Sequence, residues 1–282
     1  MDTDYDLLDV GDGARLERFG DVVADRPAPG ALSARRAPEA WTDADLRFDR
    51  TTGWSGPGLT RADAGWTVQL AGLELELRPT AAGQVGVYPE HADHLPWLLG
   101  RLADRGVPDR PVTILHLFAA TGLGTLALAA AGATVTHVDA ARPTVAWARR
   151  NAERNGLADR PIRWIVDDAL GFAERERRRG RRYDGIVLDP PTYGHGGRGA
   201  SGTWSIERDL PSLLDVCATL IADDGFALLS AHTEGITATD LEDVLDDRIG
   251  RHGVTRGSDV ELVARSGAVL GLGAAATWDG RS

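Results

Sequence analysis

The sequence predicts an α/β fold, a mainly parallel sheet with helices on both faces, preceded by a small β-containing N-terminal extension. Three observations predict it. From Pro111 onward, short apolar runs alternate with segments of helical period, as expected of successive βαβ units. The helix expected over Pro143 to Arg154 opens with proline in its first turn and is followed by Asn155-Gly156, a start and a stop in the right order. At 282 residues, the chain is long enough to bury a substantial core without staples.

Residues 1 to about 60 are rich in Asp, Arg, Pro and Gly, with Trp41, Phe48 and Trp54 scattered among them, and they read as irregular. Trp66 to Leu70 and Leu73 to Leu77 alternate apolar and polar residues around Ala71-Gly72, the pattern of a β-hairpin. Trp41, Trp54 and Trp66 are assigned to the core of this part, and the extension is taken as residues 1–82, the main domain as 83–282. In the main domain a helix is expected near Ala92 to Leu102. Val112 to Phe118 is a strand, Leu123 to Ala131 a helix and Thr134 to Val138 a strand. After the Pro143 helix come strand Ile162 to Val166, helix Ala169 to Arg179 and strand Gly185 to Leu188. A glycine-rich loop, Gly194 to Gly202, leads to a helix near Asp209 to Ile221 and strand Phe226 to Ser230. Helix Asp240 to Asp247 then precedes Val260 to Ala264 and Ala268 to Ala274, which pair as a closing hairpin.

Composition narrows the function. A net charge of −11 argues against a chain that coats nucleic acid non-specifically, because that mode depends on many phosphate contacts. One cysteine, Cys217, excludes an intrachain disulfide, and no Cys/His cluster has zinc spacing, so no metal is expected. No apolar run approaches the roughly 20 residues that span a bilayer, and Met1 to Val10 is acidic rather than a basic leader. A soluble, cytoplasmic protein without a membrane partner is expected.

The sharpest motif is Leu115-His-Leu-Phe-Ala-Ala-Thr-Gly-Leu-Gly124, an apolar strand running into a small-residue turn and then a helix. Glycine lets backbone approach a ligand closely, and the N–H groups of the helix start suit a pyrophosphate or a carboxylate. Asp139 ends the next strand, where a carboxylate can accept both hydroxyls of a ribose. Asp168 follows the third strand, placed to accept from an adenine amino group. The three strand ends share one sheet edge, so an adenosine can span them. Gly122-x-Gly124-x-x-Ala127, with Asp139 somewhat under 20 residues on, matches the dinucleotide fingerprint equally well. Asp189-Pro-Pro-Thr-Tyr-Gly194 at the end of the fourth strand decides between them: two prolines make a stiff turn that hydride transfer does not need.

With these motifs the chain resembles the class I S-adenosylmethionine-dependent methyltransferases, specifically the large-subunit (23S) ribosomal RNA methyltransferase family, with its Leu-Phe-x-x-Thr-Gly first motif and Asp-Pro-Pro fourth motif. Tyr5 to Gly13 with Leu16 to Gly20, Val87 to His91, Tyr183 to Pro191 and Leu270 to Trp278 also match, so the likeness covers nearly the whole chain. The resemblance implies a Rossmann-like seven-stranded sheet, mostly parallel, with an antiparallel C-terminal hairpin. It implies S-adenosylmethionine held by Phe118, Ala120, Thr121, Gly122, Asp139, Ala140, Asp167, Asp168, Ala169 and Asp189, with Pro89, Glu90 and His91 lining the pocket. It also implies a nucleobase of RNA, ribosomal RNA above all, as the acceptor. In related amine methylators the side chain before the two prolines and a proline carbonyl accept from the exocyclic amine, roles that fall to Asp189 and Pro190, with Tyr193 stacking on the base. Asp at this position, where many amine methylators have Asn, leaves carbon or oxygen open as the acceptor. Methyl transfer from a sulfonium needs alignment rather than a metal.

Other features are weighed against structural roles. Methylation at C5 of a pyrimidine uses a cysteine, and Leu229-Ser-Ala-His-Thr233 has none; Cys217 lies on one helical face with Leu210, Leu213, Leu214 and Ile221, a core position. The run Arg175, Arg177, Arg178, Arg179, Arg181 and Arg182 reads as a solvated helix end before it reads as a phosphate site. Arg198, in His195-Gly-Gly-Arg-Gly199, reads equally as a phosphate contact or as part of a flexible linker without contacts, and His232 reads as a base near the site or as a structural histidine. Competing readings are a small-molecule or protein acceptor, which the acidic balance favours, a nicotinamide oxidoreductase, and a cofactor-binding module without catalysis.

Overall fold

The computed structural model describes residues 4–105, 110–195, 203–250 and 252–281. The chain divides into two compact units, residues 1–93 with 261–272, and residues 94–260 with 273–282.

The first unit holds a five-stranded sheet in sequence order: β1 (Tyr5–Gly11), β2 (Ala14–Phe19), β3 (Val22–Pro27), β4 (Leu46–Asp49) and β5 (Gly53–Ser55). This corrects the irregular reading of residues 1 to about 60. The strands escape a hydropathy pattern because they bury charge. On β2 and β3, Glu17 and Arg26 are buried together, Arg26 Nε donating to Glu17 Oε2 at 2.8 Å while Tyr5 Oη donates to Glu17 Oε1 at 3.0 Å. Asp9, fully buried on β1, accepts from Trp41 Nε1 at 2.9 Å. The usable signal was the turn: Asp12-Gly13 joins β1 to β2 with φ of 53° and 76°, the left-handed pair a tight hairpin requires. Helix α1 (Leu59–Asp63) leads to the expected hairpin, β6 (Trp66–Leu70) and β7 (Leu73–Leu77), paired Leu70 to Leu73. Trp41 and Trp66 are buried; Trp54 is half-buried against Phe48.

The second unit opens with α2 (Leu95–Arg105) and continues β8 (Thr113–Leu117), α3 (Leu123–Ala130), β9 (Thr134–Asp139), α4 (Arg142–Arg154), β10 (Ile162–Val166), α5 (Ala169–Arg178) and β11 (Tyr183–Leu188). A short ribbon, β12 (Tyr193–His195) with β13 (Thr203–Ser205), precedes α6 (Ile206–Leu220), β14 (Ile221–Ala231), α7 (Ala238–Ile249), β15 (Val254–Val263) and β16 (Val269–Asp279). The glycine-rich segment expected as a loop from Gly194 thus begins as a strand; residues 196–202, Arg198 included, lie outside the described residues. The seven-stranded sheet runs β10-β9-β8-β11-β14-β16-β15, parallel through β14 and closed by the antiparallel C-terminal strands. The chain leaves β8 to one side for β9 and later returns on its other side as β11, so a crevice opens at the carboxyl ends of these strands. Among the described residues no helix is long and apolar enough to cross a membrane.

The strands bury Leu115, Leu117, Ile186, Leu188 and Leu229 against α6, whose Leu213, Leu214 and Cys217 are fully buried. Burial pushes the Cys217 thiol up to about 12, so Cys217 is a core residue as its helical position predicts. On β8 and β9 two buried histidines flank one hydroxyl: His116 Nδ1 lies 2.8 Å and His137 Nδ1 2.9 Å from Thr125 Oγ1 of α3. Burial first, then the fields of His116 and Arg149, holds the His137 imidazole well below its ordinary range. His137 is therefore neutral in the fold, and below its ordinary value of about 6.5 only the unfolded chain gains its proton. Stability contributed by keeping it neutral is present above that pH and declines as pH falls, by at most about 1.4 kcal/mol per pH unit. Thermal melts are expected to drop from pH 7.5 to 5.5, and the drop is expected to be shallower in His137→Gln.

Candidate active site

The turn after β8 is an unusual piece of backbone. Phe118, Ala120 and Gly122 take positive φ of 56°, 48° and 97°, and two of the three are not glycine. Such residues cost of order 1–3 kcal/mol each and persist where neighbours over-determine them. The neighbours are visible. Ala119 N donates to Val138 O at 3.1 Å, Gly122 N to Ala119 O at 3.1 Å, and the fully buried Asn151 of α4 donates its Nδ2 to Thr121 O at 3.0 Å. A Cβ on Gly122 would stand 3.2 Å from Ala148 Cβ, so position, φ and space all select glycine. Gly122 caps α3 without a side-chain acceptor, so no capping oxygen takes up the N–H groups of its first turn.

Asp139 ends β9 beside this turn. Its Oδ2 accepts from Ala120 N at 3.0 Å and its Oδ1 from Ala141 N at 2.9 Å. Burial raises its carboxyl above the ordinary range, opposed by these two N–H bonds. Each oxygen keeps a second lone pair, the arrangement that accepts a pair of hydroxyls. Asp167 N donates to Asp139 O at 3.1 Å, which aligns the next strand end. Asp168 caps α5, its Oδ1 accepting from Gly171 N at 2.7 Å, while Asp167 is ion-paired with Arg175. Ala140 is exposed and Ala169 buried. The structure brings Phe118, Ala120, Thr121, Gly122, Asp139, Ala140, Asp167, Asp168 and Ala169 to one sheet edge. Pro89, Glu90 and His91 belong to the first unit, in a 3-10 turn (Pro89–His94), with Glu90 buried and His91 stacked on Tyr88 at 5.5 Å.

The double-proline turn follows β11 and is clamped from two sides. From β14, Ser230 Oγ donates to Asp189 Oδ1 at 2.7 Å, His232 Nε2 lies 3.4 Å from the same oxygen, and the Thr192 and Thr233 hydroxyls meet at 2.7 Å. From β13, the buried Trp204 donates Nε1 to Pro191 O at 2.8 Å, and its ring stands 5.0 Å from that of Phe118. One indole thus touches both the double-proline turn and the first strained residue of the β8 turn. Pro190 is buried and Tyr193 is 71% exposed, its ring open to a planar partner. Sequence reasoning missed Asn151, Ser230 and Trp204. Ser230 sat in a segment inspected for a cysteine, and Asn151 and Trp204 carry no motif. The arginine run on α5 is largely consumed by ion pairs, Arg175 with Asp167, Arg178 with Glu174, Arg179 with Glu176 and Arg182 with Asp223. Asn151→Ala is expected to remove the hydrogen bond to the Thr121 carbonyl, costing about 1–3 kcal/mol in denaturant unfolding and shrinking the melting-temperature gain from S-adenosylhomocysteine.

No family model matches the chain. It is 37% identical over 119 residues to ribosomal RNA large subunit methyltransferase K/L of Methylococcus capsulatus, a match covering 42% of this chain and 16% of that protein. It is 32% identical over 128 residues to ribosomal RNA large subunit methyltransferase K of Neisseria meningitidis serogroup B, covering 45% and 36%. The chain thus spans well under half the length of these curated relatives. The crystal structure of an S-adenosylmethionine-dependent methyltransferase from Agrobacterium tumefaciens superposes with a TM-score of 0.89 at 34% identity, covering 98% of this chain and 90% of that one. This sets aside the dinucleotide reading of Gly122-x-Gly124-x-x-Ala127. With a third of its residues shared across almost the full length of both chains, on the sheet whose edge carries this crevice, the chain belongs to the S-adenosylmethionine-dependent methyltransferases.

Proposed function

We propose that this methyltransferase modifies a nucleobase of ribosomal RNA in the cytoplasm, with residues 83–282 carrying the chemistry. The observation that carries the proposal is the Asp189-Pro190-Pro191 turn, held by Ser230 and Trp204 and joined through Trp204 to the β8 turn. The names of the two curated relatives support ribosomal RNA as the acceptor.

The residues present fit the cofactor. Asp139 offers a carboxylate already oriented by two N–H groups, and the strained Phe118-to-Gly122 backbone leaves no side chain at Gly122 in the way. In this assignment Asp139 holds the ribose hydroxyls, Asp168 with Asp167 and Ala169 borders the adenine, and Thr121 and Gly122 face the amino-acid carboxylate. Once bound, S-adenosylmethionine supplies an electrophilic methyl group on a sulfonium. Asp189 and the Pro190 carbonyl accept hydrogen bonds from an exocyclic amine and so aim its lone pair, which is alignment catalysis. The amine gains a carbon and sheds a proton, which the Asp189 carboxylate accepts. Tyr193 stacks on the base, a contact worth about 1–3 kcal/mol.

Incubation with tritiated cofactor is expected to label ribosomal RNA or ribosomal subunits, and nucleoside mass spectrometry then names the base; label confined to protein or small-molecule fractions would overturn the acceptor. Asp189→Ala is expected to lower kcat on the order of a hundredfold, and Asp189→Asn, which keeps an acceptor oxygen, to lose less. Cys217→Ala is expected to keep the kcat of the parent while lowering the melting temperature, because the thiol fills core space and attacks nothing.

A further inference from the structure

The chain is acidic overall, so RNA has to be met by a local concentration of positive charge. The α5 run is a poor source, since four of its six arginines are spent on ion pairs. A second concentration carries no motif. Between Arg142 and Arg163 there are six arginines against Glu153 and Asp159, a local +4 in a chain of −11. Arg142, Arg149, Arg150 and Arg154 on α4, and Arg160 in the turn after it, are all exposed. Among the described residues Arg142, Arg149 and Arg160 enter no ion pair.

We infer that Arg142, Arg149 and Arg160 form the surface that grips the backbone phosphates of the RNA. The inference rests on the RNA acceptor proposed above and names where that RNA lies. Arg142 and Arg149 are seven residues apart, two helical turns, so they line up along one side of the helix, flanking the buried stripe of Val145, Ala148 and Ala152. Arg149 stands with its guanidinium 6.0 Å from the ring of Trp164 on β10, the outermost strand, where the ring also packs 4.8 Å from His137. The face is therefore anchored rather than loose. Geometry ties it to the chemistry. Arg142 is three residues beyond Asp139 at the carboxyl edge, and the thirteen residues of α4 run about 20 Å toward the opposite edge, where Arg160 follows. A strand whose reacting base enters the crevice passes a line of cations that begins beside the cofactor turn. Guanidinium suits this task because its fork pairs with phosphate oxygens in two bonds.

The test compares two triple variants with the same loss of charge. Arg142→Gln/Arg149→Gln/Arg160→Gln removes the proposed surface; Arg177→Gln/Arg178→Gln/Arg181→Gln removes charge from the distal end of α5. Binding of a fluorescein-labelled ribosomal RNA fragment is measured by anisotropy across a salt series, with S-adenosylhomocysteine calorimetry run on every protein. The first variant is expected to bind RNA on the order of tenfold or more weakly, with the slope of log affinity against log salt shallower by about 2, while binding S-adenosylhomocysteine like the parent. The α5 variant is expected to bind RNA as the parent does. Unchanged affinity and slope in the first variant, or an equal loss in both, would overturn the surface and leave the RNA acceptor standing. A parent protein that binds S-adenosylhomocysteine but no RNA would overturn the acceptor itself, and the surface with it.

Discussion

Two backbone N–H groups on one carboxylate, Ala120 N and Ala141 N on Asp139, are the constraint on which the rest of the site depends. They tie the turn after β8 to the end of β9, and they do so at a place where the backbone is otherwise unfavourable. Positive φ at Phe118 and Ala120 is affordable only because Asp139, Asn151 and the Val138 carbonyl each take or give a hydrogen bond there. The product is a short stretch of backbone held in a fixed shape, which a flexible glycine loop would not give. Asp139 consequently has two tasks, one structural and one proposed toward the ribose, and both need it ionised.

The double-proline turn is built on the same logic. A double proline cannot join a helix and has no N–H to give, so its shape is set by what holds its carbonyls and its flanking carboxylate. Ser230 holds Asp189 and Trp204 holds the Pro191 carbonyl, leaving the turn fixed from β14 and β13. Trp204 also packs against Phe118, so the two halves of the site share a buried side chain. Displacement of either half is felt by the other through that ring, because a packed core does not deform continuously.

Charge is handled in three different ways. In the first unit Glu17 and Arg26 are buried as an ion pair, which specifies a sheet without an alternating pattern. On α5 the arginines close ion pairs at the surface, which contribute little to stability but remove the charge from other use. On α4 and in the turn after it, Arg142, Arg149 and Arg160 are exposed and enter no ion pair among the described residues.

The sequence by itself determined the second unit apart from the short β12–β13 ribbon. Its helices and strands read correctly because parallel strands buried on both faces are continuously apolar and the helices between them carry a single apolar stripe. It also located the strand ends that bear Asp139, Asp168 and Asp189, since those positions follow from where each apolar run stops. The first unit was legible only in its β6–β7 hairpin: β1 to β5 hide because Asp9, Glu17 and Arg26 occupy inward positions, and their partners are distant in sequence. Asn151, Ser230 and Trp204 were likewise decided by tertiary structure alone. A hydrogen bond between residues 13 to 41 positions apart leaves no local period, so only the folded backbone could show that these side chains hold the turns on which the site is built.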